Sequence, residues 1–138
     1  METRLIRFEE KKSNLGSLVA IQDPDAIPFA IQRVYYIYGV DSETYRRGFH
    51  AHKDLEQVLI CVSGSVKVLV KTPNEEKVFH LDDPSIGLFV GKMLWREMFD
   101  FTKDAVLLVL ASRKYDEKDY YRDYEIYEKA YMAQRRGK

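Results

Sequence analysis

Punctuation is what most restricts the fold of this chain. Six of the seven glycines and all four prolines lie at or before Gly91. Between them run short segments rich in β-branched and aromatic residues: Ser17–Ile21, Ala30–Tyr38, Gln57–Val62, Ser65–Lys71, Lys77–Leu81, Ile86–Val90, Leu94–Phe99 and Ala105–Ala111. Turn signals such as Ser63-Gly64, Thr72-Pro73-Asn74 and Asp82-Asp83-Pro84 separate them. Short strands at this spacing, with no helical period between them, predict an all-β antiparallel sandwich or barrel rather than an α/β fold. At 138 residues the chain is one domain's worth. The barrel is expected over about 14–112, with a short C-terminal helical tail over about 116–133.

The tail reads differently from the rest. Six of the ten tyrosines fall from Tyr115 onward. Tyr120, Tyr124, Tyr127 and Tyr131 recur at i, i+4, i+7 and i+11, the period of one helix face. Such a stripe reads as packing surface, docked on the β-body or on a second subunit. The closing Gln134-Arg135-Arg136-Gly137-Lys138 reads as a frayed end or the start of a linker.

Composition removes several function classes. The charges balance, 22 Lys+Arg against 22 Asp+Glu, so the basic excess of a nucleic-acid binder is missing. The lone Cys61 cannot close an intrachain disulfide. No apolar run approaches the roughly 20 residues of a membrane helix, and Met1–Lys12 alternates charges without a signal-peptide core. A cytoplasmic domain that binds neither nucleic acid nor membrane is the expectation.

The chemistry points to Arg47-Gly48-Phe49-His50-Ala51-His52-Lys53. Residues two apart on a strand share a face, so His50 and His52 project together. With Gln57 and Gly64 they give the spacing His-x-His-x4-Gln-x6-Gly, which resembles the first motif of the cupins, double-stranded β-helix (jelly-roll) barrels that hang ligands inside the barrel from this strand. Cupins usually carry Glu where this chain has Gln57. Their second motif supplies a further His, and its best match here, Val90-Gly91-Lys92-Met93-Leu94-Trp95, puts Arg96 in that place. A metal centre needs lone-pair donors, whereas Gln57 brings no charge and Arg96 is a permanent cation. No metal and no other cofactor is expected. The site reads as rebuilt for an anion or polar substrate, with Arg47, Arg96, Tyr35, Tyr38, Trp95 and Glu97 as candidate neighbours of the histidine pair.

The resemblance sharpens over longer blocks. Arg33-Val-Tyr-Tyr-Ile-Tyr38, the His50/His52 block, Gln57-Val-Leu-Ile, Gly64-Ser65, Val90–Met98, Val109-Leu-Ala-Ser112 and Tyr115-Asp-Glu-Lys-Asp-Tyr120 are similar to the sugar 3,4-ketoisomerases acting on dTDP-4-oxo-6-deoxyglucose. The likeness runs from about Gly16 to Tyr127. It implies a metal-independent shift of the ketone from C4 to C3 through an enediol(ate), ahead of an aminotransferase that makes a 3-amino-3,6-dideoxyhexose for surface glycans such as O-antigen or S-layer. By the family pattern His50 would be the main base at carbon, and His52 would shuttle protons between the oxygens or hold the enediolate. Arginine's planar fork suits a pyrophosphate, which makes Arg33 and Arg47 the candidates there, with Lys53 adding charge. Tyr35 or Tyr38 would stack on thymine or line the sugar pocket, and Trp95 and Glu97 would orient the sugar.

Two departures stand out. Many relatives have Arg where Leu15 precedes Gly16-Ser17-Leu18-Val19-Ala20, and some have His at the place of Arg96. By the resemblance both positions would border the sugar, and they leave the C4 configuration of the product open. The resemblance further implies a homodimer with exchanged N-terminal strands, and a possible fused or partner acyltransferase. Two other readings stay open on the residues alone: a nucleotide-sugar 3,5-epimerase on the same fold, and a non-catalytic cupin that binds a sugar nucleotide.

Overall fold

The structure, a computed structural model, describes residues 1–22, 25–41 and 44–137. Its strands run in chain order as β1 (Thr3–Arg7), β2 (Glu10–Ser13), β3 (Gly16–Val19), β4 (Arg33–Tyr38), β5 (Arg47–His52), β6 (Gln57–Ser63), β7 (Val66–Lys71), β8 (Glu76–Leu81), β9 (Ile86–Val90), β10 (Trp95–Phe99), β11 (Val106–Ala111) and β12 (Tyr120–Tyr121). A 3-10 turn, Glu117–Asp119, precedes β12, and the helix α1 (Tyr124–Arg136) follows it. Two five-stranded antiparallel sheets, ordered β1-β9-β6-β11-β4 and β12-β5-β10-β7-β8, make the cupin-type jelly roll, and β2 and β3 pair only with each other as a hairpin.

Every residue from Gln57 to Cys61 is buried, which a one-sided strand cannot do. The reason is that the first sheet is covered on both faces. Leu59 and Cys61 point into the inter-sheet core with Val68, Leu88, Leu107 and Val109. Val58 and Ile60 point the other way, into a second layer with Phe8, Ile27, Phe29 and Phe89. A third cluster, Ala51, Met93, Trp95 and Tyr127, forms where α1 lies on the outer face of the second sheet. Asp123 caps this helix, its carboxylate accepting from Glu125 and Ile126 N–H, and the Tyr127 hydroxyl bonds Met93 O at 3.0 Å.

Two elements differ from the sequence expectation. The N-terminal segment, read only as alternating charge, supplies β1, an edge strand whose charged residues suit an edge. The tyrosine stripe is split: Tyr124, Tyr127 and Tyr131 ride on α1, but Tyr120 sits in β12, ahead of the Asp123 cap. No helix among the described residues is long and apolar enough to cross a membrane.

Candidate active site

The site is built on a distortion of β5. Gly48 and Phe49 both have positive φ, 95° and 56°, and the register slips there: Arg96 lies opposite His50, Glu97 opposite Gly48 and Met98 opposite Arg47. Phe49 is the extra residue of a β-bulge. In a regular strand Arg47 would face away from His50. The bulge turns it back, so Arg47, His50 and Met98 line one pocket. Only glycine fits at 48, because a Cβ there would lie 2.8 Å from Arg96 O.

Beneath the histidines lies a buried cation. Arg96 points inward from β10 and is 1% exposed. Its Nη1 donates to Gln57 Oε1 and its Nη2 to Leu94 O at 3.0 Å, both neutral acceptors, while Nε has no partner among the described residues. Gln57 Nε2 in turn donates to Tyr35 Oη at 3.0 Å. Burial pulls the guanidinium down to about 10, and burial pushes the Tyr35 phenol up. Burial, reinforced by the Arg96 charge, holds His50 at about 3 and His52 lower still. Both imidazoles are therefore neutral at physiological pH, as proton acceptors must be.

The C-terminal segment completes the wall. Strand β12 pairs with β5, Tyr120 opposite His52 and Tyr121 opposite Ala51. The Tyr120 ring lies 5.1 Å from that of His50 and 4.3 Å from that of His52, and the two histidine rings meet edge-on at 4.9 Å. His52 Nδ1 is 3.1 Å from Asp119 Oδ2. Arg122 stands over Tyr120 at 4.2 Å and is held by Glu117, its Nε 2.6 Å from Oε1. The pocket, about 360 Å³, opens between this segment and β4 and is lined by three arginines, Arg33, Arg47 and Arg122, with Tyr35, Tyr36, His50 and Tyr120. Arg33 is sandwiched by Tyr35 and Tyr115 at 4.6 and 5.2 Å, and its Nη1 is buried without a partner among the described residues.

Of the residues singled out from sequence, Arg33, Tyr35, Arg47 and His50 line the pocket, and His52, Gln57 and Arg96 lie buried behind it. The other four stand outside its lining. Tyr38 is 70% exposed on the outer face of β4, stacked on Tyr36. Lys53 is exposed and lies over the Tyr121 ring at 5.2 Å. Trp95 and Glu97 alternate with Arg96 on β10 and so face outward. There Trp95 packs on Tyr124 and Tyr127 and donates to Glu97, which also pairs with Arg46 at 3.0 Å. The Tyr35 ring face is taken by Arg33, which leaves that face no room for a base.

Tyr120, Arg122 and Asp119 were missed from sequence. The signal was present: an Asp before a helical run marks its N-cap, and placing that cap at Asp123 releases Tyr120 from the helix face. Among the described residues no group of three or more His, Cys, Asp or Glu side chains could hold a metal ion. At the two altered cupin positions Arg96 donates to Gln57 instead, and a fixed cation there does not fit a divalent ion.

The family model for FdtA (WxcM-like, C-terminal) matches residues 1–132. This chain belongs to the sugar 3,4-ketoisomerase family. It is 49% identical over 133 residues, 96% of this chain and 94% of the relative, to the TDP-4-oxo-6-deoxy-α-D-glucose-3,4-oxoisomerase of Aneurinibacillus thermoaerophilus. Among solved structures it is similar to the sugar 3,4-ketoisomerase QdtA of Thermoanaerobacterium thermosaccharolyticum in complex with TDP, at 51% identity and TM-score 0.93 over 96% of each chain. The RmlC epimerase of Mycobacterium tuberculosis shares the fold at 17% identity and TM-score 0.70, over 86% of this chain and 67% of its own. The two proteins share a fold, and in this chain His50 and His52 are buried on the histidine strand of that barrel.

Proposed function

We propose that this ketoisomerase takes dTDP-4-oxo-6-deoxy-D-glucose and moves the ketone from C4 to C3 by histidine acid–base chemistry. His50, at the pocket wall, removes the proton on C3 and leaves an enediolate with its charge on O4. His52, buried behind it, relays the O3 proton to O4. His50 exchanges its proton with solvent water and then delivers one to C4, giving the 3-ketone with no net change in protons. The observation that carries this reading is the pair of neutral, same-face imidazoles beside a fully buried, carboxylate-free Arg96 guanidinium. A base near carbon, a relay near oxygen and a fixed positive charge where the anion forms are what an enediolate path requires. The arginines Arg33, Arg47 and Arg122 at the mouth suit the diphosphate of the nucleotide. The 3-keto product is the substrate type that an aminotransferase would convert to a 3-amino-3,6-dideoxyhexose.

The same reading includes a homodimer. Among the described residues the β2–β3 hairpin joins neither five-stranded sheet, and Leu15 and Leu18 on it are 95% and 56% exposed. A second copy that accepts this hairpin would cover both.

The deciding experiment is incubation with fresh dTDP-4-oxo-6-deoxyglucose in D2O, followed by NMR. Migration of the ketone with deuterium entering at C4 is expected, and its absence at high enzyme concentration would sink the proposal. A His50→Asn variant should bind TDP yet fail to move the ketone.

A further inference from the structure

We infer that Asp119 is a positioning residue of this reaction, which holds His52 in the one tautomer that leaves Nε2 free to take a proton. The inference rests on the ketoisomerase reading and deepens it. A relay at His52 requires a defined nitrogen, and Asp119 is the group that defines it.

The geometry is specific. His52 is 0% exposed and Asp119 7%, and the pair meets at 3.1 Å between Nδ1 and Oδ2. An ionised carboxylate can only accept, so the single N–H of a neutral imidazole lies on Nδ1 and the lone pair on Nε2. That Nε2 is buried and has no partner among the described residues, a condition native structures rarely leave without a reason. His50 Nδ1, on the ring 4.9 Å away, is likewise unpartnered among the described residues. The carboxylate is itself fixed: Oδ1 accepts from Asp54 N–H at 2.8 Å, Oδ2 also from Leu55 N–H at 3.2 Å, and the Asp119 carbonyl from Lys53 N–H at 2.9 Å. These bonds anchor Asp119 to the turn that follows β5, the strand that carries His52. The orienting group and the ring it orients therefore move together. When His52 accepts the O3 proton at Nε2, the ring becomes an imidazolium with Asp119 already in contact, and the proton leaves again for O4. Asp119 does not take the proton and does not touch substrate. It sets which nitrogen works and steadies the transient charge.

The test separates this role from a merely structural one. In uniformly 15N-labelled wild-type protein without substrate, His52 is expected to show a protonated Nδ1 and an unprotonated Nε2, and the opposite tautomer would overturn the inference. Asp119→Asn keeps the shape and part of the backbone bonding but carries no charge. In folded variant protein kcat is expected to fall about 100-fold or more, with KM within about threefold because no substrate contact is lost. A kcat within threefold of wild type would also overturn it. Should Asp119→Asn fail to fold, the wild-type spectrum decides alone. Should wild-type protein fail to move the ketone, the ketoisomerase reading falls, while the spectrum still reports whether the tautomer is set as stated.

Discussion

Replacing Arg96 with methionine removes a full positive charge from the barrel interior while keeping an unbranched side chain of similar reach. Burial displaces the guanidinium from 12.5 to about 10; at about 1.4 kcal/mol per pH unit, the charged form carries about 3 kcal/mol of unfavourable burial that methionine would not. Against this, Gln57 Oε1 and Leu94 O lose their donors, at about 1–3 kcal/mol for each buried acceptor. The net change in stability is expected between a gain of about 1 and a loss of about 3 kcal/mol. Turnover should respond quite differently. Loss of a preorganised positive group facing developing negative charge costs about 10²–10³ in kcat. Urea denaturation near neutral pH and the NMR turnover assay, run on one preparation, read both. The same NMR samples should show His50 titrating higher than in wild type, because the Arg96 charge is second only to burial in holding it near 3. A loss of stability beyond about 5 kcal/mol would mean that the cation is an ion-paired keystone. A kcat within threefold of wild type would mean that the reaction does not feel the charge. Either result refutes the argument.

Three further outcomes are expected. In the unfolded chain His50 protonates below about 6.5, but in the folded barrel only near 3. The unfolded state therefore holds the extra proton across that window, and stability falls as pH drops through it, by up to about 1.4 kcal/mol per pH unit. Urea midpoints taken from neutral to mildly acid pH should fall accordingly, and less steeply in His50→Asn; a flat series would contradict the burial argument. Gly48→Ala combines a φ of +95° with a Cβ 2.8 Å from Arg96 O and should cost at least about 2 kcal/mol in thermal melts, with weaker TDP binding by titration as Arg47 leaves the pocket. Gly39→Ala, at φ +69° with nothing within 4 Å, should lose only the smaller backbone part. Light scattering behind a sizing column should give twice the 16.3 kDa of one chain, and a deletion of the β2–β3 hairpin that stays dimeric would remove the exchange from the reading.

The eight runs between Ser17 and Ala111 were legible because each has its own turn chemistry, and turns are local. Strand β1 was not, since a charged edge strand is stabilised by its neighbour β9 rather than by its own pattern. Period-two alternation put His50 and His52 on one face. The same rule put Trp95 and Glu97 opposite Arg96, yet candidates picked by nearness in sequence ignored it. Arg47 reached the pocket by a route that no alternation rule contains: the bulge at Phe49 depends on a φ that only the folded pairing reveals. Tyr120 was hidden for the opposite reason, because a helical spacing continued by accident across the Asp123 cap.

The pairing of β12 with β5 has a consequence for how the molecule is made. Chains grow from the N-terminus at about 5–20 residues per second and begin folding before they are finished. The histidine strand emerges early and the segment with Asp119, Tyr120 and Arg122 emerges last among the pieces of the site. Until that segment zips onto β5, His52 lacks its contact with the Asp119 carboxylate and the mouth lacks one of its three arginines. The site is thus complete only once residues 119–122 have left the ribosome and paired with β5, and a chain that stops before them lacks those contacts.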